Sequence, residues 1–359
     1  MSAAPKGYAK DQPTGFSNRI ERIVIVGVRF TVLDLQHCML IIVQAGGQLG
    51  KHLTEHLVES KKHTVTAITR PNSTNKLPDG VQTVRIDYTS EAESDVSALV
   101  DALRGQQVLV ITMNVLALSA ITNLVRAAAK AGVPYILPNW FGHNAANESL
   151  IKDSMMSGLF ESVKEIKRLG VSSYFLLVCN FWYEFSLGGG PNRYGFDFKN
   201  RSMVLYNDGN VKINTSTWPQ CGRAMANLLS LKELPVDDND KSPTISQFRD
   251  QCVYVSSFRL SQRDMFESVK RVTGTTDADW TITHENTEER YKEGLEAVKS
   301  GDHKGWMKMG YSRMFFDNGD GDYERMRGLD NELLGLLVED LDEATKIGIR
   351  MGENGEVWP

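Results

Sequence analysis

No C-x-x-C pair, no run of basic residues and no apolar stretch long enough to span a bilayer occurs in this chain, and each absence excludes a class of function. The four cysteines, Cys38, Cys179, Cys221 and Cys252, have no paired spacing and no histidine at metal-ligand distance. They read as free, mostly buried thiols of a reducing compartment. The longest apolar run, Cys38–Val43, falls far short of the roughly 20 residues a membrane helix needs. A formal charge of −5 and a pI near 5.9 give no attraction for nucleic acid or an anionic membrane. The first nineteen residues lack the apolar centre of a signal peptide and read as a disordered tail, so a cytoplasmic location is expected. Metal motifs are also missing. His284-Glu285 has no second histidine after Glu288, and Asp317–Asp322 places glycines where a calcium loop needs oxygen ligands.

What is present is an alternation of strands and helices. Ile23–Val26 is an apolar strand ending in Gly27, and seventeen residues on, Ala45-Gly46-Gly47-Gln48-Leu49-Gly50 leads into a helix expected from Gln48 to Lys61. Without Val28–Gln44 the join would be IVIVG-AGGQLG, a strand followed by G-x-x-G-x-x-G and a helix, the opening of a dinucleotide-binding unit. Strands follow at 63–69, 81–86, 107–113, 133–137 and 171–178, with helices at 94–103, 118–131 and 150–169. This β-α rhythm predicts an α/β fold, a doubly wound parallel Rossmann-type sheet over 20–180 interrupted by 28–44. From 181 to 359 a smaller mixed α/β substrate lobe is expected, with a possible strand return to the main sheet. Its expected parts include a hairpin pairing Val204–Tyr206 with Val211–Ile213 around Asp208-Gly209, and a capped helix after Ser261.

In such a unit Gly27, Gly46, Gly47 and Gly50 serve the tight turn and close approach to a pyrophosphate, with Gln48 and Leu49 at the start of the helix that receives it. After the second strand, where an acidic residue would bind ribose hydroxyls, stands Arg70, with Lys76 close behind. A guanidinium there pairs with a 2′-phosphate, which argues for NADPH as cofactor. Thr112, Met113 and Asn114 follow the fourth strand and pass beneath the dinucleotide, and Pro138 and Asn139 end the fifth beside the nicotinamide. Trp140, Phe141, Phe181, Trp182, Tyr183 and Trp218 are candidates for the wall of an aromatic substrate pocket or for the core of the second lobe.

Together with LPNWFG (Leu137–Gly142), NFWYEFSLGGGPNRYGFDFKN and YNDGNVKINTSTWPQCG, these features resemble the NmrA-like, isoflavone-reductase-like proteins, and most closely their fungal CipA-like branch. The resemblance runs from about Ile20 to the C-terminus. It implies an atypical short-chain dehydrogenase fold, NADPH, and a small aromatic substrate such as a phenylpropanoid. Asn139 and Trp140 replace the serine and glutamate of that family's LPSEFG segment, and Asn207–Asn210 matches its GDGN turn. The plant reductases carry a catalytic lysine about eleven residues before the glycine that closes the helix; here that place falls on Leu159, beside Phe160. Neither transfers a proton, and Lys152 and Lys164 lie out of register. The resemblance therefore leaves the catalytic residue unassigned and supports, as an alternative, an NADP(H)-sensing regulator of the NmrA type. The segment 28–44 is an in-frame block of seventeen codons whose ends can encode splice sites, so a retained intron that impairs cofactor binding is a third reading. Were it present, Ile23–Gly27 is expected to keep the central strand in preference to Met39–Val43. The sequence leaves oligomeric state open.

Overall fold

The computed structural model describes residues 4–27, 43–74, 76–115, 117–302 and 304–357. The first half alternates β1 (Arg22–Val26), α1 (Val43–Glu59), β2 (Thr64–Thr69), β3 (Gln82–Arg85), α2 (Glu93–Leu103), β4 (Val108–Ile111) and α3 (Leu118–Ala131). It continues through β5 (Tyr135–Leu137), β6 (Phe141–Gly142), α4 (Glu148–Asp153), α5 (Ser157–Leu169) and β7 (Ser173–Val178). Then come β8 (Phe181–Trp182), α6 (Tyr183–Leu187), β9 (Phe196–Asp197), β10 (Ser202–Tyr206), β11 (Ile213–Ser216), α7 (Trp218–Leu229), β12 (Gln251–Tyr254) and β13 (Phe258–Leu260). The last elements are α8 (Gln262–Thr273), β14 (Thr281–Glu285), α9 (Thr287–Lys299), α10 (Gly305–Met314), α11 (Tyr323–Arg327) and α12 (Leu341–Glu353).

The main sheet runs β3-β2-β1-β4-β5-β7-β12, every pairing parallel, with β6 alongside β7. The order reverses between β1 and β4, the switch point beyond whose carboxyl ends doubly wound sheets bind ligands. β1 is buried on both faces, as its unbroken Ile-Val-Ile-Val run requires. Ile23 and Ile25 pack with α1 and α7, whereas Val24 and Val26 pack with α2, α3 and α5. This confirms Ile23–Val26 as the central strand. Val43 belongs instead to α1, and Met39–Ile42 lies outside the described residues, as does Cys38. Cys179 and Cys221 are free and buried, and Cys252 is free and half-buried. Among the described residues no helix is long and apolar enough to cross a membrane.

Three expectations are corrected. First, α1 begins at Val43 and not at Gln48, so Gly46, Gly47 and Gly50 lie within the helix. Glycine in a helix costs about 1 kcal/mol relative to alanine, so the three oppose helix by about 3 kcal/mol. Leu49, Leu53 and Leu57, all fully buried on its inner face, contribute about 1.5–3 kcal/mol each and hold the body of the helix against that cost. α1 also lies close against α7, where a Cβ on Gly222 would come within 2.7 Å of the His52 carbonyl oxygen.

Second, the expected long helix over 150–169 is two helices, α4 and α5, parted at Met155, whose φ is +56°. The Met156 N–H closes α4 by donating to the Ile151 carbonyl, and the break delivers Ser154 to His143. Third, β10 and β11 form no hairpin. β10 pairs with β14 and β9, and β11 with β13 and β8. The turn between them, with Asn207 at φ +53° and Gly209 at +75°, is tied down by Arg263 on the Asp208 carbonyl and by Asn207 accepting from the Thr287 N–H. Each strand therefore finds its partners elsewhere.

The capping box expected at Ser261 is present, with Asp264 as its reciprocal partner. Residues 4–19, read as a tail, lie along the loop that follows α7: Ala4 is buried, the Ala9 N–H donates to the Pro235 carbonyl, and Asn18 bonds the Leu234 backbone.

Candidate functional site

The end of β1 presses directly on the end of β4. Gly27 has φ +96°, and a Cβ there would lie 2.5 Å from the Thr112 carbonyl oxygen and 3.0 Å from the Met113 nitrogen. The Thr112 N–H and hydroxyl both donate to the Val26 carbonyl, at 2.9 and 3.0 Å. One strand over, the Asn139 amide donates to the Met113 carbonyl at 2.7 Å and joins the end of β5 to that of β4. These contacts make a rigid ledge of three strand ends at the switch point.

Above it is a cavity of about 200 Å³. Thr112, Met113 and Asn139 supply the ledge side, Leu49 of α1 one margin, and Trp140, Phe141, Phe181 and Trp182 the aromatic walls. A second cavity of about 170 Å³ adjoins it, and His143, Leu159, Phe181 and Tyr311 line both. Phe181 stacks on Tyr311 with ring centres 3.8 Å apart and planes at 11°. The Tyr311 hydroxyl is committed to the Ser186 hydroxyl at 2.7 Å, and burial raises its pKa.

Among the described residues, His143 is the other ionisable group on these walls. Its Nε2 meets the Ser154 hydroxyl at 2.9 Å, and its ring meets Trp140 edge-on at 5.2 Å. Burial lowers its pKa to about 4, a shift that the Asn144 backbone opposes and the charge of Arg313 reinforces. The folded protein thus holds the neutral imidazole. Because the folded pKa lies below the ordinary histidine value of 6.5, this contribution to stability is complete above pH 6.5 and is lost as pH falls toward 4. A His143→Gln variant is therefore expected to show a shallower loss of unfolding free energy between those pH values. Urea titrations at stepped pH measure this, and parallel curves for the two proteins would contradict it.

Of the residues singled out in the sequence, the structure brings Leu49, Thr112, Met113, Asn139, Trp140, Phe141, Phe181 and Trp182 to one cavity. Gly27 lies beneath them, and Asn114 and the buried Pro138 adjoin the ledge in sequence. Gly46, Gly47, Gln48 and Gly50 are carried on the first two turns of α1. Arg70 and Lys76 are exposed just past β2. Arg85 steadies that segment by donating to the Pro71 and Ser73 carbonyls. Tyr183 and Trp218 do not line the cavity. The Tyr183 hydroxyl is bonded to Thr345 in the core of the second lobe. Trp218 starts α7, stacked on His52 at 6.0 Å.

Leu159, at the position of the family lysine, forms part of the cavity wall, while Lys152 is exposed and Lys164 is paired with Glu161 at the surface. His143, Asn180 and Tyr311 were not singled out. His143 directly follows LPNWFG and Asn180 directly precedes FWY, so proximity to motifs was their signal. Tyr311 arrives on α10, far along the chain, and nothing local marks it. Asp320 and Asp322, in the acidic stretch read as a polar turn, are held by Arg313 and Arg259. Among the described residues no group of three or more His, Cys, Asp or Glu could hold a metal ion.

Comparison with known proteins places this geometry. The NmrA-like family matches residues 36–185, a span that begins downstream of β1. The oxidoreductase aprR of Aspergillus flavus is 27% identical over 311 residues, covering 84% of this chain and 96% of that protein. The oxidoreductase poxI of Penicillium oxalicum is 23% identical over 314 residues, covering 84% and 90%. Among solved structures, isoflavone reductase superposes with a TM-score of 0.64 at 17% identity, covering 91% of this chain and 98% of that one. AtPrR2 with NADP+ and (+)pinoresinol gives 0.63 at 18% identity, covering 93% and 100%. The Escherichia coli NADPH-dependent quinone oxidoreductase complexed with NADPH gives 0.57 at 17% identity, covering 90% and 98%. The parallel sheet with its site at the switch point is the fold of isoflavone reductase, and residues 36–185 of this chain match the NmrA-like family.

Proposed function

We propose that the chain is an NADPH-dependent oxidoreductase acting on a small aromatic molecule. The observation that carries this reading is the aromatic-walled cavity standing directly on the ledge where the ends of β1, β4 and β5 meet. In this reading the dinucleotide crosses the ledge, with its nicotinamide beside Thr112 and Asn139 and its adenosine end toward Arg70 and Lys76. The free N–H groups at the start of α1 face the phosphates. Arg70 and Lys76, exposed and backed by the segment that Arg85 orders, supply the positive charge a 2′-phosphate requires. When bound, the reduced nicotinamide supplies a hydride. The chain's own part is to hold an aromatic ring beside it and to exclude water with Trp140, Phe181 and Trp182.

The relatives described as oxidoreductases and the aromatic ligand bound by AtPrR2 support this reading. Leu159, standing in the cavity wall where the plant reductases carry lysine, favours the second reading, a regulator that senses NADP(H) without turning it over. Two measurements separate them. Calorimetric titration with NADPH is expected to give saturable binding under either reading. Loss of reduced-nicotinamide absorbance in the presence of quinones or phenylpropanoid-like compounds is expected for the oxidoreductase alone. Binding without turnover across such a panel would leave the regulator.

A further inference from the structure

We propose that Gly310 sets the length of substrate the site accepts: the side chain it lacks leaves the second cavity open for the distal apolar group of a neutral, elongated aromatic molecule. The inference rests on the reading that an aromatic molecule meets the nicotinamide on the ledge. The cavities of about 200 and 170 Å³ each fall short of the roughly 300 Å³ at which ligand pockets begin, and together they exceed it. In that reading the first cavity also receives the nicotinamide, beside Thr112 and Asn139, so a substrate larger than a single ring continues into the second. Its way lies past Met156 and Met307, half-buried residues that line both cavities. Their unbranched side chains turn aside at little cost.

Gly310 lies where a side chain would narrow this route. Met307, Gly310 and Tyr311 stand at i, i+3 and i+4 on one face of α10. Met307 and Tyr311 line both cavities, and Gly310 lines the second. Close packing does not require glycine at this position. At Gly294 and Gly305, where α9 and α10 touch, a Cβ would come 2.5 Å from a backbone atom of the facing helix, whereas at Gly310 it would meet nothing within 4 Å. Glycine is the poorest helix former after proline, so the position loses helix stability and gains open space on the cavity wall. The face is held in place: the Tyr311 hydroxyl meets that of Ser186 in α6 at 2.7 Å, and Arg313 donates to Asp153 at the end of α4 at 2.8 Å. Among the described residues neither cavity has an Asp, Glu, Lys or Arg on its walls. The Ser154 hydroxyl, in the second, is committed to His143 and the Ile151 carbonyl. A charged group entering there would lose its hydration with no counter-charge to replace it, so the distal group is apolar.

The test titrates 4-methylphenol and 4-benzylphenol, which share one ring and differ by a second, into the full chain with NADPH present, followed by ligand-observed NMR. 4-Benzylphenol is expected to bind at least about tenfold tighter, through burial of its second ring. 4-(4-Hydroxybenzyl)benzoate, which carries a carboxylate on that ring, is expected to bind at least about tenfold more weakly than 4-benzylphenol. Gly310→Leu is expected to weaken 4-benzylphenol at least about tenfold and to leave 4-methylphenol, which the first cavity accommodates, within about twofold. Gly310→Ala, a better helix residue than glycine, serves as the second variant should Gly310→Leu not fold, with a loss of about two- to threefold expected for 4-benzylphenol alone. Equal affinities of the two phenols in the unaltered chain would overturn the proposal and leave the aromatic reading standing. So would a folded Gly310 variant that weakens both phenols alike or neither, or a carboxylate bound as tightly as 4-benzylphenol. Failure of both phenols to bind overturns it together with the aromatic half of the proposed function, while saturable NADPH binding in the same experiment would show the cofactor half intact.

Discussion

Replacing Gly27 with alanine is expected to destabilise the protein by about 3 kcal/mol and to weaken NADPH binding more than tenfold. The new Cβ would sit 2.5 Å from the Thr112 carbonyl oxygen, at a φ of +96° that alanine rarely adopts. Neither problem has a local remedy. The atom in the way belongs to the backbone of a central strand, and Thr112 is fastened to Val26 by two hydrogen bonds. Relief means prying apart the ends of β1 and β4, which form the floor over which the dinucleotide is proposed to pass. Thermal unfolding reports the stability and calorimetric titration the affinity. An unchanged midpoint and an unchanged dissociation constant would show that Gly27 is an ordinary turn residue.

Deleting 28–44 is expected to tighten NADPH binding by at least tenfold while changing stability little. The free-energy cost of closing a connection grows only as the logarithm of its length, so shortening this one by seventeen residues is worth about 1–2 kcal/mol at most. Its effect on the site is larger. In the present chain the glycines Gly46, Gly47 and Gly50 are turns of α1, and the helix opens at Val43. Joining Gly27 to Ala45 recreates G-x-x-G-x-x-G, in which the glycines leave the helix for a tight loop whose N–H groups face the pyrophosphate. Parallel titrations of the two forms measure the difference. Equal dissociation constants would mean that the segment does not disturb the site.

The sequence made the sheet legible because parallel strands buried on both faces leave a strong mark. Ile23–Val26, Val108–Ile111 and Ser173–Val178 are apolar runs, and helices of the expected size separate them. Glycine stops were equally plain: Gly132 and Gly170 both close helices in the left-handed conformation. The start of α1 was not legible, since three glycines in five positions predict a loop. Leu49, Leu53 and Leu57, buried against the sheet and α7, mark the body of the helix with either start, and no local signal marks the added turn from Val43. The family match, which starts at residue 36, likewise leaves out the strand that the structure places at the centre.

The second lobe was read least well, for a physical reason. The NDGN turn has the chemistry of a hairpin, yet the strands on either side prefer partners that arrive from Phe181–Trp182, Phe258–Leu260 and Thr281–Glu285, which local sequence does not reveal. The same holds within the site. The ledge residues were found because they follow strands directly. Tyr311 reaches the cavity on a distant helix, and the break that delivers Ser154 to His143 depends on one residue, Met155, adopting a conformation that nothing in its side chain demands.

The central claim is that a dinucleotide and an aromatic molecule meet on the ledge formed by Gly27, Thr112 and Asn139. A crystal structure of the chain with NADPH tests it most directly. The account predicts the nicotinamide against Thr112 and Asn139, its exposed face toward Phe181 and Trp182, and the 2′-phosphate within reach of Arg70. Cofactor bound away from the carboxyl ends of β1, β4 and β5, or a 2′-phosphate remote from Arg70, would contradict it.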